Sequence, residues 1–265
     1  MTRSWRFPPR TREAQVDEQW AFVGPKQKHC DPNDPDDDHR GDSWDFVAYD
    51  PEHRLVLAVV PGARTAENAQ AIVEEVRERT GETPPALLTS DELPAYTTAI
   101  ETTFGEPVPP PEPRGPGRPR VTPELCLAEG LCYATVHKER ENGRVVAVEQ
   151  KQVFGTAAAL DAALSASSAS QTVNTSFVER HHGTDRGRNA RKARKTYRFS
   201  KDWEVHEAMT YFTTYSYNFC WEVRTLRIPR EGGGWQPRTP AMAAGLADHV
   251  WSLKEWLAFP AFQST

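Results

Sequence analysis

The chain has 265 residues, 38% of them hydrophobic and 26% charged, with a net charge of −5 at neutral pH. That is enough apolar material for one large domain, or one domain with a sizeable insertion, and too much for a disordered chain. The longest apolar run, Leu55 to Val60, falls far short of the ~18 residues of a membrane span, and the Arg-rich start has no apolar stretch behind it. Neither a membrane protein nor a secretory leader is expected, and the cytoplasm is the predicted compartment. Cys30, Cys126, Cys132 and Cys220 contain no C-x-x-C pair and the eight His lack regular spacing, which predicts free thiols and no zinc.

Glu13 to Val23 alternates and then runs apolar, as a strand carrying Asp17 would. Lys28 to Asp42 reads as a polar loop whose acidic tract, with its prolines and no central Gly, fits no calcium-binding EF-hand. Trp44 to Tyr49 and Arg54 to Val60 are two short β-type runs joined by Asp50-Pro51-Glu52-His53, a hairpin. Arg64-Thr65-Ala66-Glu67 carries an N-cap signal for an amphipathic helix from Ala66 to Arg79, ended by Gly81. Pro85 to Thr89 reads as a buried strand that delivers Asp91, and Pro94 to Phe104 as a helix. The order strand, hairpin, helix, strand, helix predicts an α/β domain with a mixed sheet.

Composition then breaks at P-V-P-P-P-E-P-R-G-P-G-R-P-R, a stiff linker leading into β-type runs on either side of Glu141-Asn142-Gly143-Arg144. Residues 107–152 are accordingly read as a Pro-rich linker and β-rich insertion between the second and third acids singled out below. The string from Arg114 to Arg120 resembles an AT-hook core, which makes Arg118 and Arg120 candidate minor-groove contacts. Thr156 to Ser170 is weakly helical, a helix carrying Glu179 follows, and Ser200 caps a long aromatic-rich helix through about Val223. The predicted boundaries are thus 1–106 and 153–228 for the two parts of a catalytic domain, 107–152 for the insertion and 229–265 for a C-terminal segment.

The net charge hides an asymmetry. From Arg180 to Lys201 there are nine basic residues against the single acid Asp185, a local +8 that leaves −13 elsewhere. Arg180, Arg186, Arg188, Arg191, Lys192, Arg194, Lys195, Arg198 and Lys201, with His182, are the candidate DNA contacts on a basic helix. Cutting a phosphodiester needs an activated hydroxyl or water and a stabilised leaving oxygen, and two hard cations held by carboxylates supply both. Asp17 and Asp91 at strand ends and Glu179 on the basic helix fit that demand. Arg186 is placed to hold the phosphate and His182 to orient water or a ligand.

V-D-E-Q-W-A-F-V-G-P-K-Q-K, W-D-F-V-A-Y-D with R-T-A-E-N-A, T-S-D with A-Y, T-S-F-V-E-R-H-H, F-S-K-D-W-E-V-H and R-T-P-A-M-A-A-G-L-A-D-H-V-W-S-L together resemble the catalytic half of bacterial DDE transposases of the insertion-sequence-one type. The resemblance covers most of residues 13–106 and 172–258, in the same order. It implies a ribonuclease-H-like core of mixed sheet flanked by helices, with Asp17, Asp91 and Glu179 as the catalytic acids that bind two Mg²⁺ or Mn²⁺ ions. It further implies cleavage at element ends and strand transfer into target DNA, and a homodimer or larger assembly working in the bacterial nucleoid. Where the family has Gly after the second acid this chain has Glu92, and where it has Asn after the third it has His182. Family members carry a zinc-binding and helix-turn-helix region ahead of the core. Sixteen residues precede Asp17, so a separately encoded DNA-recognition protein is an expected partner. The alternatives are a DNA-binding protein derived from a transposase, without the chemistry, and a nuclease that cuts without joining.

Overall fold

The computed structural model of the protein describes residues 10–31, 33–37, 39–108, 124–127 and 130–259. The first strand, β1 (Glu13–Val23), leads into a meander with β2 (Gly41–Asp50) and β3 (Leu55–Gly62), all antiparallel. Helix α1 (Ala66–Arg79) follows, its first turn closed by the Thr65 hydroxyl, which accepts from the Asn68 N–H. The chain returns as β4 (Leu87–Ser90), parallel to β1, and continues through α2 (Pro94–Phe104). β5 (Gly105–Val108) and β6 (Glu124–Leu127) form a small separate ladder. β7 (Cys132–Glu141) then runs parallel to β4, and β8 (Arg144–Phe154) turns back along it. The six-stranded sheet has the order β3-β2-β1-β4-β7-β8. A mixed sheet of this order, flanked by helices, is compatible with the ribonuclease-H-like expectation.

Side-chain alternation sorts the sheet into two faces. On one, Ala14, Val16, Phe46, Ala48 and Leu57 pack under Ile72, Val73 and Val76 of α1 and Ala99 and Ile100 of α2. On the other, Val47, Tyr49, Val56 and Val59 pack under Val178 of α4 (after the short α3, Ala157–Ala166, α4 spans Ser176–Arg188) and Tyr217 of α5 (Trp203–Cys220). α3 covers Ala134 and Val136 of β7.

Two expectations are corrected. The hairpin read as part of an insertion is the end of the main sheet, because Cys132, Tyr133 and Ala134 are apolar, buried and paired with β4. The Pro-rich run with Arg118 and Arg120 lies outside the described residues. The basic segment, moreover, is not one helix: α4 ends at Arg188, residues 189–199 form turns, and Asp202 rather than Ser200 caps α5 by accepting from Val205 N–H. Ser200 instead bridges to Val23 of β1.

Candidate metal centre and nucleic-acid cleft

The register of two parallel strands brings the first two acids together. β1 and β4 pair from Glu13 opposite Leu87 to Val16 opposite Ser90, so the next residues, Asp17 and Asp91, emerge side by side where β4 ends. Ligands of open α/β sheets gather beyond such carboxyl ends. The third acid arrives on α4, which is fastened along β1 by polar side chains on alternate strand positions. Gln15 Oε1 accepts from the Phe177 and Val178 N–H groups at 3.1 and 3.2 Å, satisfying two donors that a helix start leaves over. One step on, His182 Nε2 lies 3.2 Å from Asp17 Oδ2. One step further, Gln19 Nε2 donates to Asp185 Oδ2 at 3.3 Å. Residues 15, 17 and 19 thus meet successive turns of the helix, and Asp17, Asp91 and Glu179 line one open cleft of about 630 Å³.

Among the described residues, the acid, His and Cys side chains whose donor atoms converge are Asp17, Glu18 and Asp91, with ligand atoms within 4.8 Å of one another. Glu18 was not singled out in the sequence. Its side chain is only 2% exposed, and it is held by the Tyr96 hydroxyl, which donates to Oε1 at 2.5 Å, and by Arg64, which donates to Oε2 at 2.9 Å. Arg64 also stands 3.6 Å from Asp91 Oδ2. Burial and then the Asp91 charge push the Glu18 carboxyl above its ordinary range. Burial does the same for Asp91, with the Asp17 charge adding to it and the Leu93 N–H opposing it. Crowded acids with raised affinity for protons are acids short of positive charge, and an all-oxygen donor set of this kind suits Mg²⁺ or Mn²⁺.

Glu179 lines the same cleft but stands apart from that cluster. It is half-exposed, and Lys138 of β7 and the Thr175 hydroxyl, the latter at 2.7 Å, both donate to its Oε1.

The basic candidates divide by environment. Arg186 and Arg194 line the cleft, together with Arg64, Lys138 and Arg140, which the charge count had not included. Arg180, Arg194, Lys195, Arg198 and Lys201 are exposed, and Arg191 is half-buried. Lys192 is not available to DNA: it is buried, with Nζ at 2.8 Å from Asp45 Oδ2 and 3.1 Å from Asp185 Oδ2. Arg188 is also turned inward, donating to the Thr213 carbonyl and the Ser216 hydroxyl and lying over the Trp221 ring. His182 is buried against Asp17, and neither of its ring nitrogens has an aligned hydrogen-bond partner. Its neighbour His181 stacks on Tyr49, where burial lowers its pKa to about 3 and keeps the ring neutral.

No protein-family model matches the chain, and no curated protein matches it. Five chains of solved structures do. They include the Mos1 strand transfer complex, at 22% identity and a TM-score of 0.24 over 36% of this chain and 32% of that one. The Mos1 transposase paired-end complex with the left transposon end gives 20% and 0.24 over the same shares. A pre-cleavage Mos1 transpososome gives 21% and 0.23 over 35% and 34%. The chain spans about a third of the length of these structures.

Proposed function

We propose that the protein is a metal-dependent DNA strand-cutting and strand-joining enzyme, a DDE transposase with Asp17, Asp91 and Glu179 as its catalytic acids. The observation that carries this reading is the parallel register of β1 and β4. It sets Asp17 against Asp91 in a cleft that Glu179 also lines, together with Arg64, Lys138, Arg140, Arg186 and Arg194.

Asp17 and Asp91 would share one divalent cation, and Asp17 and Glu179 a second; the cations, when bound, activate the attacking hydroxyl and stabilise the leaving oxygen. The chain's own residues do the rest. Arg186 and Arg194 hold the backbone phosphate from the α4 side, and Lys138 and Arg140 hold it from the β7 side. His182 supports Asp17 from behind. Glu18, tied to Tyr96 and Arg64, fixes the guanidinium that faces Asp91. The exposed Arg180, Lys195, Arg198 and Lys201, with the half-buried Arg191, extend the phosphate contacts away from the cleft. Holding two DNA ends calls for a dimer or larger assembly, with element recognition supplied in part by a separate protein.

The test is a strand-transfer assay with Mg²⁺ or Mn²⁺ on labelled DNA carrying the flanking element ends and a plasmid target. Joined products support the transposase. Cutting without joining identifies a nuclease, and binding without any cut a DNA-binding derivative.

A further inference from the structure

β7 keeps its pairing with β4 as far as Thr135 opposite Ser90 and then runs on to Glu141 with β8 as its one strand partner among the described residues. The overhang forms one wall of the cleft. Alternation places Val136, Lys138 and Arg140 on a single face, and Val136 packs with Val173 and α3, on the α4 side of the sheet. From this wall Lys138 reaches across to the start of α4. Its ammonium donates to Glu179 Oε1, and also to Thr175 Oγ1 at 3.2 Å. Thr175, itself buried, donates to the same Glu179 oxygen. The charge of Glu179 is therefore met by a lysine, whereas Asp17, Glu18 and Asp91 crowd together, with Arg64 against Glu18 and Asp91.

The Lys138 and Glu179 side chains are 21% and 41% exposed. An ion pair this open contributes little and exchanges readily, and a divalent cation is a stronger partner for carboxylate oxygen. We infer that Lys138 is a stand-in cation: it holds Glu179 in the metal-free protein, and a divalent ion that recruits Glu179 towards Asp17 displaces it. The freed ammonium then faces the cleft beside Arg140 and contacts a DNA phosphate. The inference rests on the reading of the three acids as a metal site and deepens it, since it names the residue against which the metal competes.

The experiment is Mn²⁺ binding to the full chain without DNA, followed by the electron paramagnetic resonance of the free ion. It compares wild type, Asp17→Ala, Lys138→Arg, Lys138→Met and Lys138→Gln. Lys138→Met is expected to bind Mn²⁺ about two- to fivefold more tightly than wild type, the span to which the contribution of an exposed pair converts. Lys138→Gln should show the same tightening, which separates loss of charge from a packing effect, and Lys138→Arg should stay near wild type. With Mn²⁺ present, Lys138→Met should also bind DNA with a salt slope shallower by about one. Asp17-dependent Mn²⁺ binding that is equally tight or weaker in both neutral variants overturns the role of Lys138 and leaves the metal site standing. No Asp17-dependent Mn²⁺ binding in wild type overturns the metal site and this inference with it.

Discussion

Two clusters of acids lie on or beside the same strands, and they have opposite fates. Asp45 and Asp185 sit under α4 and α5 with Lys192 between them and His206 Nε2 3.8 Å from Asp45. Burial pushes the Asp45 carboxyl up, but Lys192 and then His206 outweigh it and hold it at about 2. Lys192, which burial alone would discharge, is kept charged by Asp45 and Asp185. At the mouth of the sheet, Glu18 and Asp91 share Arg64 while Asp17 faces His182, and the affinity of Glu18 and Asp91 for protons rises. The first cluster is balanced within the chain and holds α4, the following turns and α5 to the sheet. The second has three acids against Arg64, and on the proposed reading a bound cation completes its balance. Counting acids does not separate a strut from a site; asking where each acid finds its counter-charge does.

The largest expected effect on stability belongs to the balanced cluster. Lys192→Met leaves Asp45 and Asp185 buried without their cation, and urea unfolding should lose about 3–5 kcal/mol. A loss below about 1 kcal/mol would mean that the cluster is not the strut described. Glu18→Gln should keep the fold while weakening the hold on Arg64, and metal-dependent cutting should fall about 10–100-fold, as is common for groups that support metal ligands. Unchanged single-turnover rates would remove Glu18 from the site. Arg191→Ala with Lys195→Ala should flatten the salt dependence of DNA binding by about two in slope, one per phosphate contact, with stability unchanged. An unchanged slope would show that the turns after α4 do not meet DNA.

Smallest is a difference of sign in acid. The lowered carboxyl of Asp45 contributes stability that is present above its ordinary 3.8 and is lost as pH falls through about 2. The raised carboxyls of Glu18 and Asp91 work the other way. Their contribution is full below the ordinary 4.5 and 3.8 and is lost as pH rises through the folded values. In chelator, thermal melts of Asp91→Asn should therefore lose the part of the neutral-pH penalty that wild type shows, and Asp45→Asn should lose the acid-side decline. Identical pH profiles for the two variants would erase the contrast between the clusters.

Much of the fold is legible in the sequence because its periodicity is clean. The extents of β1, α1 and α2 coincide with what alternation, the Thr65 cap and the Pro94 start dictate. The place of the last two strands in the sheet is obscured because the overhanging half of β7 is polar and the pair follows a Pro-rich run, so they resemble an appendage. The basic stretch was counted as one helix because charge carries no direction. Lys192 and Arg188 turn inward, and only the acids they meet from β2 and α4, or the carbonyl that Arg188 reaches on α5, reveal it. The sequence reading puts Asp17 and Asp91 at strand ends and Glu179 on a helix; Asp91 does follow the end of β4 and Glu179 lies on α4, but Asp17 sits inside β1, which runs on to Val23. Glu18 is not legible, since a strand residue beside a candidate is expected to face away; it faces away and still reaches the cluster. The polar run Glu13, Gln15, Asp17, Gln19 marks the face of β1 that receives α4, and Glu18 lies on the other face against Tyr96.

The measurement that bears most directly on the central claim is nicking of supercoiled plasmid against Mg²⁺ concentration, for wild type beside Asp17→Ala, Asp91→Ala and Glu179→Ala. Nicking that requires the metal and falls about 10⁴-fold, about 5.4 kcal/mol, in each variant, with plasmid binding retained, is the predicted result. Nicking that survives any one of the three substitutions, or that proceeds in chelator, would contradict the account.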